Sequence, residues 1–402
     1  MRVRAQWLWV IRMSDIISKD QQYVANTYNR FPIELASGKG SRVSDACGKE
    51  YIDLGSGIGV MAFGYCDEEW VKAVTNQLNK VQHTSNLYYT TPGVDLAKTL
   101  CERTGMKKVF FSNSGAEANE CAIKVARKYA CEKKGEDYYT IVSLVNSFHG
   151  RTLTTLSATG QVVFHKLFNP LTPGFVSTPA NDIEAFEECI KNNKVAGVML
   201  ETVQGEGGVN PLDEKFVKAV EEICKKEDIV LIIDEVQTGN GRCGKLYSYQ
   251  NYGISPDVVS TAKGLGGGLP IGATLMSEKV QGVLSFGDHG STYGANLVAC
   301  AGAKSVIDRL TDEFLAEVNE KSAYVFNKIG KMKGVISVSG RGLMIGIKTE
   351  RNAKEVVMEC LQKGVMCLTA KDKVRLLPAL NISYELLDKA LSVIAEVCAK
   401  GV

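Results

Sequence analysis

The sequence predicts an α/β fold: a mostly parallel sheet with helices on both faces, joined to a smaller α+β domain. Three observations carry this. From about residue 108, apolar runs alternate with amphipathic stretches. The runs are continuous Val, Ile and Leu, as in strands covered on both faces. After about residue 290 the pattern changes to long helices and short strands. VFF (109–111) is the first strand of the large sheet. The helix after it sets Ala118, Cys121, Ala122, Val125, Ala126 and Tyr129 at helical spacing. YTIVSLV (139–145), VAGVML (195–200), IVLII (229–233), DVVSTA (257–262) and IGATLM (271–276) follow as strands. Phe216, Val217, Val220, Ile223 and Cys224 mark a helix between the second and third of these. Beyond 290 come long helices, short strands around VISVSG and VRLLPA, and a final helix. Short strands such as SRVSD and EYIDL assign residues 1–55 to the smaller domain. The large domain is then expected over 56–290 and the C-terminal small domain over 291–402.

The 402 residues carry 47 Lys+Arg against 45 Asp+Glu, a net charge of +2. That balance argues against a nucleic-acid partner held by bulk charge. No apolar run reaches the ~18 residues of a membrane span, so a soluble protein is expected. Twelve cysteines are scattered from Cys47 to Cys398 without a Cys-x-x-Cys pair, which reads as free thiols in a reducing cytoplasm. The four histidines (His83, His149, His165, His289) lie far from any cysteine pair, so no metal site is expected. The opening MRVRAQWLWVIR imitates a signal peptide, but charge breaks its apolar patch and no small-residue cleavage site follows. Met13 reads as the more natural start.

Two glycine motifs are decoys. Gly57-x-Gly59-x-x-Ala62 fits a dinucleotide fingerprint in letters, yet the next helix is expected only after Asp67. Gly239-x-x-x-x-Gly244-Lys245 resembles a phosphate-binding loop, but Leu246 stands where a magnesium-binding Ser or Thr is needed.

The chemistry is carried elsewhere. Asp234 ends the run IVLII, at the strand edge where open α/β sheets bind ligands; taken alone it reads first as a cap or turn residue, and Lys263 reverses that. Lys263 ends DVVSTA and is followed by Gly264, Gly266, Gly267 and Gly268. A lysine between an apolar strand and a glycine loop can be desolvated and nucleophilic. An acid on one strand end and a nucleophilic lysine on another suit pyridoxal phosphate: the lysine holds the aldehyde and the acid keeps the ring nitrogen protonated. Ser112-Asn113-Ser114-Gly115-Ala116 leads into a helix N-terminus, a cradle for the phosphate. Ser114 with Glu117 three residues on would otherwise be an ordinary capping box.

From about Tyr28 onward the chain resembles the class III pyridoxal-phosphate aminotransferases of fold type I. The blocks are NSGAEANE (113–120), FHGRT (148–152), ETVQGEGG (201–208), DEVQTGNGR (234–242), TAKGLGGGLPIGA (261–273), HGSTYGAN (289–296) and VRLLPAL (374–380). The resemblance implies that Lys263 holds the cofactor and shuttles the substrate proton, that Asp234 partners the ring nitrogen and that Gln237 bonds the ring hydroxyl. Phe148 and Val236 would sandwich the ring, with Ser114, Gly115, Ala116, His149 and Glu201 also at the cofactor. Ser291 and Thr292 would reach the phosphate of a second copy, which implies a homodimer with shared sites. Arg151 would bind a substrate carboxylate and Arg375 the glutamate α-carboxylate, while Glu206 masks Arg375 in turn. Tyr28 and Ile58 would line the substrate pocket. The expected substrates are N-acetyl-L-ornithine and 2-oxoglutarate, as in arginine biosynthesis. Ornithine, 4-aminobutyrate, succinylornithine and succinyldiaminopimelate are the alternative donors, and a non-catalytic cofactor-binding protein is a third reading. Thr202, Tyr65 and Met61 depart from the family pattern at positions without a catalytic role.

Overall fold

The computed structural model describes residues 15–400. The opening MRVRAQWLWVIR and Met13 therefore lie outside the described residues. A seven-stranded sheet forms the centre. Its spatial order runs Lys108–Ser112, Gly272–Met276, Val258–Thr261, Val230–Asp234, Val195–Leu200, Thr140–Leu144, Phe175–Thr178. The inner strands are buried along their whole length, as their continuous apolar composition requires. Six strands point the same way. Gly272–Met276 alone runs antiparallel to both its neighbours. The edge strand Phe175–Thr178 was not among the expected strands. As a four-residue, partly exposed segment it carries too weak an apolar signal to stand out.

Register is what builds a site. Asp234 lies beside Ser260, Ile233 beside Leu200 and Gly272 beside Ser112. The parallel strands therefore all deliver their C-terminal ends to one edge: Ser112 before Ser114, Leu144 before Phe148, Leu200 before Glu201, Asp234 itself, and Thr261 before Lys263. Gly272 is needed there because a Cβ would come 2.2 Å from the Ser114 carbonyl oxygen. The 20-residue helix Gly115–Lys134 packs its apolar stripe on this sheet.

After Ser291 come the long helices Leu297–Arg309 and Asp312–Ile329 and a four-stranded sheet. Its order is Val335–Arg341, Met344–Thr349, Lys373–Leu376, Leu368–Ala370. Val365–Met366 pairs in parallel with Glu50–Asp53, tying the N-terminal strands to the C-terminal third of the chain. Gly57, Ile58 and Gly59 all adopt left-handed backbone (φ 64°, 63° and 73°), and the helix after them begins at Glu68, capped by Asp67. Gly57 and Gly59 thus belong to the single left-handed turn Ser56–Gly59 and do not open the helix Glu68–Leu78.

Candidate active site

A cavity of about 480 Å³ opens at the shared strand edge. Ser114, Gly115, Ala116, Phe148, His149, Arg151, Glu201, Asp234, Val236, Gln237 and Lys263 all line it. Ser114 caps the Gly115–Lys134 helix, its hydroxyl accepting from Glu117 N at 3.2 Å. The Glu117 carboxylate reaches one residue further back than a capping box would, accepting from Asn113 N (2.6 Å) and Asn113 Nδ2 (2.9 Å). The first N–H groups of a helix have no partner within it, so those of Gly115 and Ala116 are available to an anion. A Cβ on Gly115 would meet Val236 Cγ1 at 2.6 Å. Only glycine allows the helix end to sit this close to Val236.

Asp234 forms the buried floor. Its Oδ2 accepts from Asn119 Nδ2 and from His149 Nδ1, each at 2.8 Å. Its Oδ1 accepts from Val236 N at 2.9 Å, folding Val236 back over the site. A carboxylate accepts only, so the hydrogen on Nδ1 orients the imidazole. His149 Nε2 is buried and has no hydrogen-bond partner among the described residues. Glu201 receives Phe148 N (2.9 Å) and Gly205 N (3.2 Å). Burial pushes its carboxyl up to about 7; Asp234 adds to the rise, while His149 and the two N–H groups oppose it.

Lys263 sits in left-handed backbone (φ 42°) immediately after its strand, the kind of strain functional residues carry. Burial lowers its ammonium below the usual lysine range, with Arg375 adding to the effect and the Glu206 carboxylate opposing it. Arg375 is only 3 % exposed. Its Nη1 donates to Glu206 Oε1 at 2.6 Å and to Gln237 Oε1 at 3.1 Å. Burial would raise the Glu206 carboxyl, but the Arg375 guanidinium outweighs it and holds the group below the usual range. Gln237 Nε2 also lies 3.4 Å from Glu206 Oε1. Arg375 and Glu206 therefore form a closed pair beside the cavity, with Gln237 linking that pair to the cavity wall.

Two of the residues expected at the substrate pocket stand off this cavity. Tyr28 is exposed, lies against Arg30 and does not line the cavity. Ile58 is 44 % exposed and also off the cavity, because its left-handed turn carries it outward; Val60 lines the cavity instead. Ser291 and Thr292 do not line their own chain's cavity. The Ser291 hydroxyl accepts from Asn113 Nδ2 at 3.0 Å, and Thr292 is exposed. Sequence reasoning gave no role to Asn119, which stands one turn beyond Gly115 and bridges Asp234 to the His149 carbonyl (2.7 Å). A polar residue within an otherwise apolar helix stripe was the available signal.

A pyridoxal phosphate fits these residues. The helix end and Gly115 provide a cradle for the phosphate, the buried carboxylate of Asp234 a partner for the ring nitrogen, and a desolvated lysine a partner for the aldehyde.

The model of the class-III aminotransferase family matches residues 23–398 of this chain. The chain is 50 % identical over 383 residues to the acetylornithine aminotransferase of Haemophilus ducreyi, covering 95 % of this chain and 98 % of that one. It is 44 % identical to the acetylornithine aminotransferase of Methanocaldococcus jannaschii, over 95 % and 97 % of the two chains. Among solved structures, the ornithine aminotransferase of Toxoplasma gondii superposes with a TM-score of 0.92 at 30 % identity, over 97 % and 96 %. A further structure of that enzyme is described with partial occupancy of PLP at its active site. The N-acetylornithine aminotransferase of Stenotrophomonas maltophilia superposes with a TM-score of 0.83 at 34 % identity, over 95 % and 98 %.

Proposed function

Since this chain belongs to the class-III aminotransferase family and is a pyridoxal-phosphate-dependent aminotransferase, we propose that it moves the δ-amino group of N-acetyl-L-ornithine to 2-oxoglutarate, a step of arginine biosynthesis. The names of its relatives support this donor. The observation that carries it is the charge balance at the cavity. Arg151 lines the cavity and has no carboxylate partner among the described residues, so it is open to a substrate carboxylate. The lining carboxylates, Asp234 and Glu201, are buried and bonded to the protein, and Glu206 is paired with Arg375. None is free to hold a second ammonium. Ornithine would bring one; acetylation removes it. Leaving a polar group unpaired in a dry pocket costs about 1–3 kcal/mol.

The bound cofactor supplies an aldehyde that exchanges amines and a ring that accepts the electron pair left by the departing substrate proton. Lys263 Nζ, its charge disfavoured by burial, would take that proton from the carbon bearing the reacting amine and deliver it to the aldehyde-derived carbon of the cofactor, so that the amino group stays with the cofactor. Asp234 holds a proton at the ring nitrogen, fixed in place by Asn119 and His149. Arg151 grips the carboxylate through paired N–H donors, setting the δ-amine toward Lys263. Glu206 keeps Arg375 masked for this substrate and releases it for the α-carboxylate of glutamate. The test is kcat/KM across a panel of donors with 2-oxoglutarate. N-acetyl-L-ornithine should exceed ornithine by at least about tenfold, equivalent to 1.4 kcal/mol; equal or better activity with ornithine or 4-aminobutyrate overturns the assignment.

The same reading extends to assembly and setting. The chain is read as a large domain over 56–290 and a C-terminal small domain from 291 on, to which the described part of the N-terminal segment, residues 15–55, contributes. Leu87, Tyr88, Tyr89 and Tyr293 are exposed, and Asn86 Nδ2 binds the Ser291 and Gly294 carbonyls at 3.1 and 2.9 Å, joining them into one apolar surface. A second copy seated there would receive the exposed Thr292 at its phosphate site, which supports a homodimer. All twelve cysteines are free, which supports a reducing cytoplasm. No helix among the described residues is long and apolar enough to cross a membrane.

A further inference from the structure

The Arg151 guanidinium lies 4.6 Å from the Phe164 ring centroid and 5.6 Å from that of Phe148. The two rings meet edge to face, 5.8 Å apart at 79°. Among the described residues these rings are the partners of Arg151; it makes no ion pair and no hydrogen bond. Phe164 does not itself line the cavity. It belongs to the short turn Val162–Phe164, which the chain fastens to the segment bearing Phe148 and Arg151. Asn146 N donates to the Gly160 carbonyl (2.8 Å) and Gly160 N to Ser147 Oγ (3.0 Å). Gln161 Nε2 donates to the Ser147 carbonyl (3.1 Å), and Phe164 N closes the turn onto the Gln161 carbonyl (3.0 Å). Its sequence neighbours Val162 and Val163 are exposed while Phe164 is half-buried.

We propose that Phe164 is a positioning residue for substrate recognition, holding Arg151 by its face so that the in-plane N–H donors stay free for the substrate carboxylate. A carboxylate partner would fix the arginine equally well but would occupy those donors. An aromatic face attracts the cation without consuming them. Phe148 is the more distant ring, and its assigned place is over the cofactor, so Phe164 is the ring free for this task. The inference rests on the reading of Arg151 as the carboxylate binder.

The test is steady-state kinetics of the holoenzyme with N-acetyl-L-ornithine and 2-oxoglutarate, alongside the thermal unfolding midpoint of each variant. Phe164→Leu should raise KM for N-acetyl-L-ornithine about three- to tenfold with kcat within about twofold. Phe164→Met, similar in volume but without a ring, should behave the same way, and Phe164→Tyr should restore the wild-type KM. A purely packing role predicts a lower unfolding midpoint and a lost kcat instead, and that outcome overturns the proposal. So does Phe164→Tyr failing to rescue. Arg151→Gln separates the two layers. If it raises KM while Phe164→Leu and Phe164→Met do not, the role of Phe164 is refuted and that of Arg151 stands. If Arg151→Gln leaves KM unchanged, the reading beneath the proposal falls, and the proposal with it.

Discussion

Replacing Glu206 by Gln tests the gate most directly. Arg375 is buried and holds Glu206 at 2.6 Å, with Gln237 as a second acceptor at 3.1 Å. Breaking a fully buried pair costs about 3–5 kcal/mol, whereas exposed pairs contribute about 0–1 kcal/mol. This pair lies between those limits. The Glu206 side chain is 30 % exposed, and Gln237 remains to accept from the guanidinium. A value of about 2 kcal/mol is reasonable, corresponding to roughly a thirtyfold change in an equilibrium or rate ratio. The substitution keeps the shape and removes the charge, so the masked state loses that much relative to the open one. Unmasked, Arg375 captures the α-carboxylate of N-acetyl-L-ornithine and turns its δ-amine away from Lys263. Single-turnover half-reactions, followed by the visible absorbance of the bound cofactor with each amine separately, read this out. The donor half-reaction should slow by about thirtyfold, while the glutamate half-reaction is unchanged or faster. A fall of equal size in both would show that Glu206 supports the site generally and gates nothing. No fall with the donor would dismiss the mask altogether.

Two further predictions address assembly and pH. Lys263→Ala and Thr292→Glu chains should each be inactive, the first without its amine and the second repelling the phosphate. Mixed dimers of the two should regain activity at the site that keeps both groups, and verified mixed dimers without activity would refute a shared site. Glu235 is buried beside Asp234, accepts from Tyr249 N (2.7 Å) and Thr238 Oγ1 (2.6 Å), and is pushed up to about 7 mainly by burial. A carboxyl raised on folding adds no penalty below its unfolded pKa near 4.5, and its contribution to stability is lost as pH rises toward 7. Wild type should therefore lose about 2 kcal/mol more than Glu235→Gln between pH 5.5 and 8, measured by denaturant titration. Parallel pH profiles would rule out Glu235 as the source.

The site was legible in the sequence wherever its signal was local. Asp234 closes the apolar strand Val230–Asp234, Lys263 follows the buried strand Val258–Thr261 and precedes a glycine-rich loop, and Ser114 stands three residues before Glu117 at a helix start. These patterns need only a few consecutive residues. Asn119 and Phe164 gave no such signal. Asn119 is one polar residue within a helix stripe, and its meaning depends on Asp234, 115 residues away in the chain. Phe164 depends on a turn fastened to Ser147. Tyr28 and Ile58 stand off this cavity; Ile58 lies within the left-handed turn Gly57–Gly59, and no run of neighbouring residues states which way such a turn carries a side chain.

The sequence by itself determined the strands of the large sheet other than the edge strand Phe175–Thr178, the amphipathic helices and the residue types able to hold a cofactor, because burial on both faces and helical spacing are written into runs of neighbouring residues. Tertiary structure alone decided which strand ends meet. The placement of the antiparallel Gly272–Met276 strand between two parallel neighbours, the register of Asp234 beside Ser260 and the closure of Arg375 onto Glu206 across 169 residues depend on pairings between distant segments. Such pairings are selected by the burial and hydrogen bonding of the whole sheet, and no single stretch of the chain encodes them.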